Sequence, residues 1–316
     1  MKISVLTPTY NRGELLKKLY DSLIENADYG VKIEWLIMDD GSTDNTKTIV
    51  EQFIKENKIE IKYYYQKNQG KMIAINNLVQ HVTGDLMIDC DSDDYFTKNA
   101  FEIIKQEYTK HQYKKDVYGL CFLKYDQNGK NMGNKFRNEK TTMFDLYFKE
   151  GETGEKAIVF FSNVRKQYKH QLEHNERFVT EARMYHEMDE KYKMICINEP
   201  IMICEYQESG YTKNIKEEFI KNPFGYYEYF KEILQKDFKG VSFNKRLYVI
   251  KHYILFTYLT GQHDFRSIKS SINKILCFLL WIPGILKSSS FRNRNYWQNK
   301  VTRFILRIKA WEILEK

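Results

Sequence analysis

Over the first ninety residues, short apolar runs alternate with stretches whose apolar residues recur at helical spacing. Ile3 to Thr7 is an apolar run with β-branched residues and reads as a strand. Leu15, Leu16, Leu19 and Leu23 then share one helical face, with Asn11 placed to cap the helix and Glu14 in the capping-box position. Ile33 to Met38 is a second strand that ends at the turn Asp39-Asp40-Gly41-Ser42. Ser42 or Thr43 caps the next helix, whose apolar face is Ile49, Val50, Phe53 and Ile54. Ile61 to Tyr65 gives a third strand, Gly70 opens a third helix, and Leu86 to Asp89 gives a fourth strand.

This β-α-β-α-β-α-β order predicts a parallel sheet with right-handed crossovers. Ligands of such sheets bind at the carboxyl ends of the strands, near a topological switch point. The polar clusters at 7–12, 39–44, 67–71 and 89–94 each follow a strand, so they are expected to converge on one sheet edge. From 100 to about 215 the pattern is mixed, with strands expected at Val117 to Lys124 and Met194 to Tyr206 and a turn at Asp126-Gln127-Asn128-Gly129-Lys130. From 216 onward the chain turns helical, aromatic and basic. The expected organisation is therefore a catalytic α/β domain over 1–215, with halves 1–100 and 101–215, and a helical region over 216–316.

The 316 residues and the 42% hydrophobic fraction suit a core-forming protein. Five scattered cysteines without a C-x-x-C pair fit free thiols in a reducing compartment. Met1-Lys2-Ile3-Ser4 runs straight into a strand pattern without a signal-peptide pattern, and a cytoplasm-facing site is expected. The net charge of +8 suits a phosphorylated substrate or an anionic membrane. Nucleic acid is disfavoured, because the basic residues surround no recognition motif.

Candidate chemistry concentrates after the fourth strand, where Asp89, Asp91, Ser92, Asp93 and Asp94 surround Cys90. Carboxylates this dense repel one another, and water, protons or a cation must offset the repulsion. Mg²⁺ or Mn²⁺ bridging two phosphates typically takes only one or two protein carboxylates. Asp89, at the strand end, is equally suited to a structural hydrogen bond. Thr7-Pro8-Thr9-Tyr10-Asn11-Arg12 offers hydroxyl, backbone and guanidinium donors, although a turn and a helix cap also account for it. The aspartates of Asp39-Asp40-Gly41-Ser42 suit a base N–H, and Asp-Gly is also a common turn. Lys67-Asn68-Gln69-Gly70-Lys71 lacks the P-loop spacing, and the histidines form no H-E-x-x-H zinc pattern.

Together these strings are more specific than any one of them. Pro-Thr-Tyr-Asn-Arg, Asp-Asp-Gly-Ser-Thr-Asp, Asn68-Gln69-Gly70-Lys71 with Ala74 and Asn76, Gly84-Asp85 and Asp91-Ser92-Asp93-Asp94 resemble, in order and spacing, the family-2 glycosyltransferases over roughly residues 1–100. The resemblance implies the GT-A fold, a nucleotide-diphosphate-sugar donor (a UDP-sugar) and a divalent metal, Mn²⁺ or Mg²⁺. It places Thr7, Pro8, Thr9, Tyr10, Asn11 and Arg12 at the nucleoside, and Asp40 or Asp39, with Gly41 and Ser42, at the base. It places Asn68, Gly70, Lys71 and Asn76 near the diphosphate, Asp91 and Ser92 on the sugar-ribose side, and Asp93 with Asp91 at the metal. Gly154-Glu155-Lys156-Ala157 and Glu176-Arg177-Phe178-Val179-Thr180-Glu181-Ala182 resemble the acceptor side of a bacterial polysaccharide subgroup. Where the family usually carries Glu-Asp, this chain has Thr180-Glu181, which makes Glu181 the expected base and Glu176 the second choice. The resemblance thus implies inverting transfer of one sugar to a glycan or lipid-linked acceptor in surface or capsular polysaccharide assembly. The Gln-x-x-Arg-Trp segment that the resemblance would link to processive synthases is absent from the sequence. Two rival readings are a sugar-nucleotide nucleotidyltransferase, which would want a Gly/Arg-rich first loop, and a dead membrane-associated scaffold, against which the retained acids argue.

The C-terminal region adds a surface. Ile275 to Leu286 is apolar but too short for the ~20 residues a spanning helix needs. Between Lys287 and Trp311 there are seven Lys or Arg and no acid. Trp297, Val301, Phe304, Ile308 and Trp311 form one stripe at helical spacing, flanked by Lys300, Arg303 and Arg307. A basic amphipathic helix of this kind fits an anionic membrane interface, with a packed or dimerising helix as the alternative.

Overall fold

The computed structural model describes residues 1–205 and 215–289. The chain forms two compact units. One holds Met1–Gln171 and the chain from Glu181 through the last strand; the other holds Leu172–Thr180 and the helices from Ile215 onward. The sequence reading kept 172–180 within the catalytic domain.

In the first unit, β1 (Lys2–Thr9), β2 (Lys32–Asp39), β3 (Glu60–Tyr65) and β4 (Leu86–Asp89) are parallel and lie in the order β3-β2-β1-β4. The helices α1 (Leu16–Ala27), α2 (Thr46–Glu56) and α3 (Lys71–Val79) connect them. The chain moves outward from β1 to β3 and then returns to place β4 on the other side of β1. That reversal opens a crevice at the carboxyl ends of β1 and β4. β1 and β2 are buried on both faces, which is why their sequences are apolar without alternation; Ile3, Val5, Leu6, Leu36 and Ile37 have no exposed surface. Leu16, Leu19 and Leu23 bury the predicted face of α1, and Tyr20 stacks on Phe53 at 4.1 Å beside Trp35.

The sheet continues with β5 (Tyr95–Phe96), α4 (Ala100–His111), β6 (Val117–Asp126), β7 (Lys140–Thr141), β8 (Lys156–Phe161), α5 (Ser162–Arg165), α6 (Ala182–Met188) and β9 (Lys193–Cys204). β8 lies antiparallel between β4 and β6, β9 runs parallel to β6, and β7 pairs with β9. β6, β9 and the Asp126–Lys130 turn match the sequence expectation, whereas β8 was not expected and its first residues fall in the segment read as acceptor-side. Two caps also differ. Asn11 has φ +51° and accepts from the Thr43 amide at 2.7 Å instead of capping α1. Asp44, not Ser42 or Thr43, accepts from the Thr46 amide at the start of α2, at 3.0 Å.

The second unit contains α7 (Ile215–Lys221), α8 (Pro223–Ile233), α9 (Phe243–Thr260) and α10 (Ser271–Ser289). Its core is aromatic: Tyr226 meets Phe219 at 4.4 Å and Phe256 at 5.4 Å, and Phe230 meets Phe256 at 5.7 Å. On α10, Asn273 and Cys277 are buried, whereas Ile272, Ile275, Phe278 and Leu279 are exposed. Among the described residues no helix is long and apolar enough to cross a membrane. The stripe from Trp297 to Trp311 lies outside the described residues.

At the amino ends of the parallel strands sits a buried carboxylate. Glu34 of β2 accepts from the Ser4 hydroxyl, from the Thr83 amide and hydroxyl, and from Lys2 at 2.8 Å. Burial works to raise its pKa, but hydrogen bonds from Lys2, Ser4 and Thr83 outweigh it and bring the value to about 2, below its ordinary 4.5. The stabilisation is therefore complete above the unfolded value and is lost as pH falls through the folded one. Glu34→Gln is expected to cost about 3 kcal/mol at neutral pH and to flatten the acid-side decline in stability between about pH 5 and 2. Urea melts across that range check both effects.

Candidate active site

Three loops meet at the carboxyl ends of β1, β2 and β3, and side-chain hydrogen bonds join them. The Asn11 amide donates to Ser42 Oγ at 2.9 Å, and the Gly13 amide donates to Asp44 at 3.2 Å, tying the loop after β1 to the loop after β2. Asp39 accepts from the Ser42 amide at 2.7 Å and from the Tyr63 hydroxyl at 2.6 Å. Asp40 holds the loop before α3: Oδ1 accepts from Gln66 Nε2 at 2.7 Å and the Gln69 amide at 2.8 Å, and Oδ2 from the Gly70 amide at 2.8 Å. Gly41 is required where these loops touch. Its φ is +87°, and a Cβ there would lie 2.9 Å from the Asn68 amide nitrogen.

The acidic turn after β4 faces three cations from three different elements. Lys71, at the start of α3, lies 2.8 Å from Asp91 and 3.0 Å from Glu181. Arg12 lies 3.1 Å from Asp93, and Lys124 of β6 lies 2.9 Å from Asp94 and 3.4 Å from Glu155. Desolvation opposes the charged form of Asp91, but the Lys71 ammonium outweighs it and holds the carboxyl below its ordinary range. Asp93 is pushed the other way, to about 6, by burial and by the Asp91 charge, with Arg12 only partly compensating. The turn therefore carries negative charge that the surrounding cations do not fully balance.

The profile described as "Glycosyl transferase family 2" matches residues 4–165, just over half of the 316-residue chain. The chain belongs to this family. An uncharacterised glycosyltransferase of Mycoplasma genitalium, MG060, is 32% identical over 131 residues, covering 40% of this chain and 44% of the relative. A Campylobacter jejuni protein named GalNAc(5)-diNAcBac-PP-undecaprenol β-1,3-glucosyltransferase is 32% identical over 129 residues, 40% of each chain. These matches each cover less than half of the relative's own length. Among solved structures, Staphylococcus aureus TarS residues 1–349 with UDP-GlcNAc superposes with a TM-score of 0.57 at 19% identity, covering 90% of this chain and 79% of TarS. A Pyrobaculum calidifontis mannosyltransferase with GDP-Man and Mn²⁺ gives 0.52 at 14% identity, covering 99% and 85%. The chain, a member of this family, has the GT-A fold.

Within that frame the expected site residues separate. Tyr10 is exposed, and Asn11 and Arg12 lie in the loop that reaches Ser42, Thr43 and Asp93. Thr7 does not reach the crevice surface: it is fully buried, and its hydroxyl accepts from the Trp35 indole at 2.9 Å. Pro8 and Thr9 also lie within β1, and the Thr9 hydroxyl is buried without a hydrogen-bond partner among the described residues. Asp39 and Asp40 are almost fully buried and are occupied by loop groups, so they shape the pocket wall. Gly70 opens α3 with φ +99°, and Ser92 is buried in the acidic turn. Asn76, expected near the diphosphate, instead exchanges two 2.9 Å hydrogen bonds with the His170 backbone.

Gln66, Tyr63, Lys124, Arg165 and the buried His170 were not expected at the site. Gln66, Tyr63, Lys124 and His170 work through contacts distant in sequence, Arg165 contacts Tyr168 and His170 nearby, and none belongs to a local pattern that marks it. Among the described residues no three His, Cys, Asp or Glu side chains form a ready cation site. Asp91 and Asp93 fit the smaller share that a protein contributes when a bound diphosphate supplies further oxygens. The charge excess at Asp93 marks where a hard cation would be favoured.

Glu176 and Glu181 differ sharply. Glu181 shares Lys71 with Asp91, whereas Glu176 lies in the second unit and accepts from the Phe224 and Gly225 amides, both at 2.7 Å. Those amides belong to the first turn of α8, where a carboxylate satisfies donors that lack helical partners. Glu176→Ala is expected to lower stability by about 1–2 kcal/mol through loss of this cap, while turnover per folded molecule stays within about twofold. A thermal melt paired with a specific-activity assay checks both.

Proposed function

We propose that this chain transfers one sugar, with inversion, from a UDP-sugar to a hydroxyl of a glycan or lipid-linked acceptor during surface polysaccharide assembly. The observation that carries the reading is the shared Lys71, which brings the donor-side Asp91 and the candidate base Glu181 to within 2.8 and 3.0 Å of one ammonium. The UDP and UDP-GlcNAc complexes of TarS support the donor class. The undecaprenol-linked substrate in the name of the Campylobacter relative supports the acceptor class.

Glu181 acts as the base. Its carboxylate takes the proton of the acceptor hydroxyl as that oxygen attacks the anomeric carbon, and the bond to the diphosphate oxygen breaks on the opposite face of the sugar. An incoming diphosphate competes for the Lys71 ammonium, which then supports the leaving group and releases Glu181 for the proton. Arg12 adds positive charge on the donor side. Mn²⁺ or Mg²⁺ held by Asp93 and Asp91 would stabilise charge on the departing phosphate. Asp39 and Asp40 keep the loops in register, and Tyr10, Asn11 and Ser42 border the nucleoside.

The second unit serves attachment to the inner face of the cell membrane. The exposed apolar residues of α10 precede a chain segment whose sequence is basic and amphipathic. Such a surface would keep the site near lipid-linked acceptors.

Two measurements test these assignments. Glu181→Gln should lose ~10²- to 10⁴-fold in turnover while its melting temperature and UDP affinity are retained; near-normal turnover of folded protein removes Glu181 as base. Changing Lys300, Arg303 and Arg307 together to Glu should weaken flotation with phosphatidylserine vesicles by at least about tenfold, since each basic residue near anionic lipid is worth ~1 kcal/mol. Equal flotation of both proteins argues against attachment through this segment.

A further inference from the structure

Asp89, Arg165 and His170 are buried polar side chains with no place in the transfer scheme above. Asp89 ends β4, and both of its carboxylate oxygens are shielded from solvent and accept no hydrogen bond from the described residues. Arg165 has no exposed surface; its NH1 donates to the Tyr168 carbonyl at 2.8 Å, its NH2 meets His170 Nε2 at 3.5 Å, and its Nε is unpartnered. The guanidinium packs 5.6 Å from the Phe160 ring centroid, which fixes its plane. His170 is buried, and its pKa is held well below the ordinary value by burial and then by the Arg165 charge, so the ring is neutral. A guanidinium can only donate, so Nε2 accepts and the single ring proton sits on Nδ1, which has no acceptor among the described residues.

A buried polar group left unpaired is destabilising, and three of them together call for a ligand or solvent that satisfies them. Asp89 and Arg165 are matched: one presents carboxylate oxygens, the other an N–H, and each lies within the other's electrostatic reach. Lys71 spans the interval from the donor-side Asp91 to the candidate base Glu181, and all three act electrostatically on Asp89. In the inverting reaction the transferred sugar occupies that interval, with its anomeric carbon between the leaving diphosphate and the acceptor oxygen. A sugar hydroxyl carries one proton to donate and lone pairs to accept, the complement of this pair.

We infer that Asp89 and Arg165 form a subsite that reads a ring hydroxyl of the transferred sugar: the hydroxyl donates to Asp89 and accepts from Arg165 Nε. His170 is a positioning residue that holds the guanidinium through Nε2. The subsite rests on the donor reading given under Proposed function and adds specificity for the sugar rather than affinity for the nucleotide.

Calorimetric titration of the full chain in Mn²⁺ separates the two. The readout is the affinity for UDP-glucose, UDP-galactose, UDP-GlcNAc and UDP-GalNAc, each divided by the affinity for UDP. In Asp89→Asn, UDP affinity should stay within about twofold of wild type, and the ratio should fall at least about tenfold for at least one of the four sugars. Unchanged ratios for all four overturn the subsite in favour of groups served by solvent; a parallel loss of UDP and UDP-sugar affinity overturns it in favour of a structural role. Monodeoxy analogues of the preferred donor give an answer without altering the protein. One hydroxyl position should cost wild type about tenfold, and a loss under about twofold at every position overturns the proposal. Wild-type protein that binds no UDP overturns the donor reading itself, and the subsite with it.

Discussion

Asp91, Asp93 and Asp94 fall within four positions just after β4, and their mutual repulsion organises the site. Unit charges 4 Å apart near a protein surface interact by about 4 kcal/mol, so such a turn holds its shape only against counter-charges. The counter-charges come from elements far apart in sequence: Arg12 after β1, Lys71 at the head of α3 and Lys124 in β6. Each salt link therefore also fixes one loop relative to β4. The residual imbalance falls on Asp93, where burial and the neighbouring Asp91 favour protonation or a cation. A diphosphate with its metal brings both signs of charge to this turn, and that is the ligand chemistry the turn suits.

Lys71 couples the two halves of the proposed reaction. It touches the donor-side acid and the candidate base at once, and in the proposed reaction it turns from both to the leaving phosphate. An ammonium shared between two carboxylates is held more firmly than one paired with either alone, and a more densely charged diphosphate can still displace the partnership. In the proposed scheme the base is then released by the same event that brings the donor.

Much of this was legible in the sequence because the first four strands obey local rules. Their strands are apolar, their helices amphipathic, and the polar residues gather where β-to-α turns must be. The topology then sends those turns to one edge without further information. β8 was missed because an antiparallel strand inserted between β4 and β6 has no crossover helix to announce it, and β5 and β7 are too short for any period. The caps were misassigned for a related reason. Asn11 has the right chemistry to cap α1, but the loop after β2 offers the Thr43 amide in a better position, and Asn11 takes the left-handed backbone needed to reach it.

Glu176 and Glu181 show where local reading ends. They stand five positions apart in a polar stretch, with the same chemistry and no periodic context that ranks them. What separates them arrives from elsewhere in the chain: α8 presents two unpaired amides to Glu176, and α3 presents an ammonium to Glu181. A carboxylate that accepts two backbone N–H bonds has much of its lone-pair capacity committed and is held by a helix end, which suits it to structure. A carboxylate paired with a lysine ammonium through one oxygen keeps the other free to exchange partners, which a general base requires. In the proposed scheme the same residue type takes opposite duties according to whether its partner is a pair of backbone amides or a side-chain ammonium, which only the tertiary fold determines.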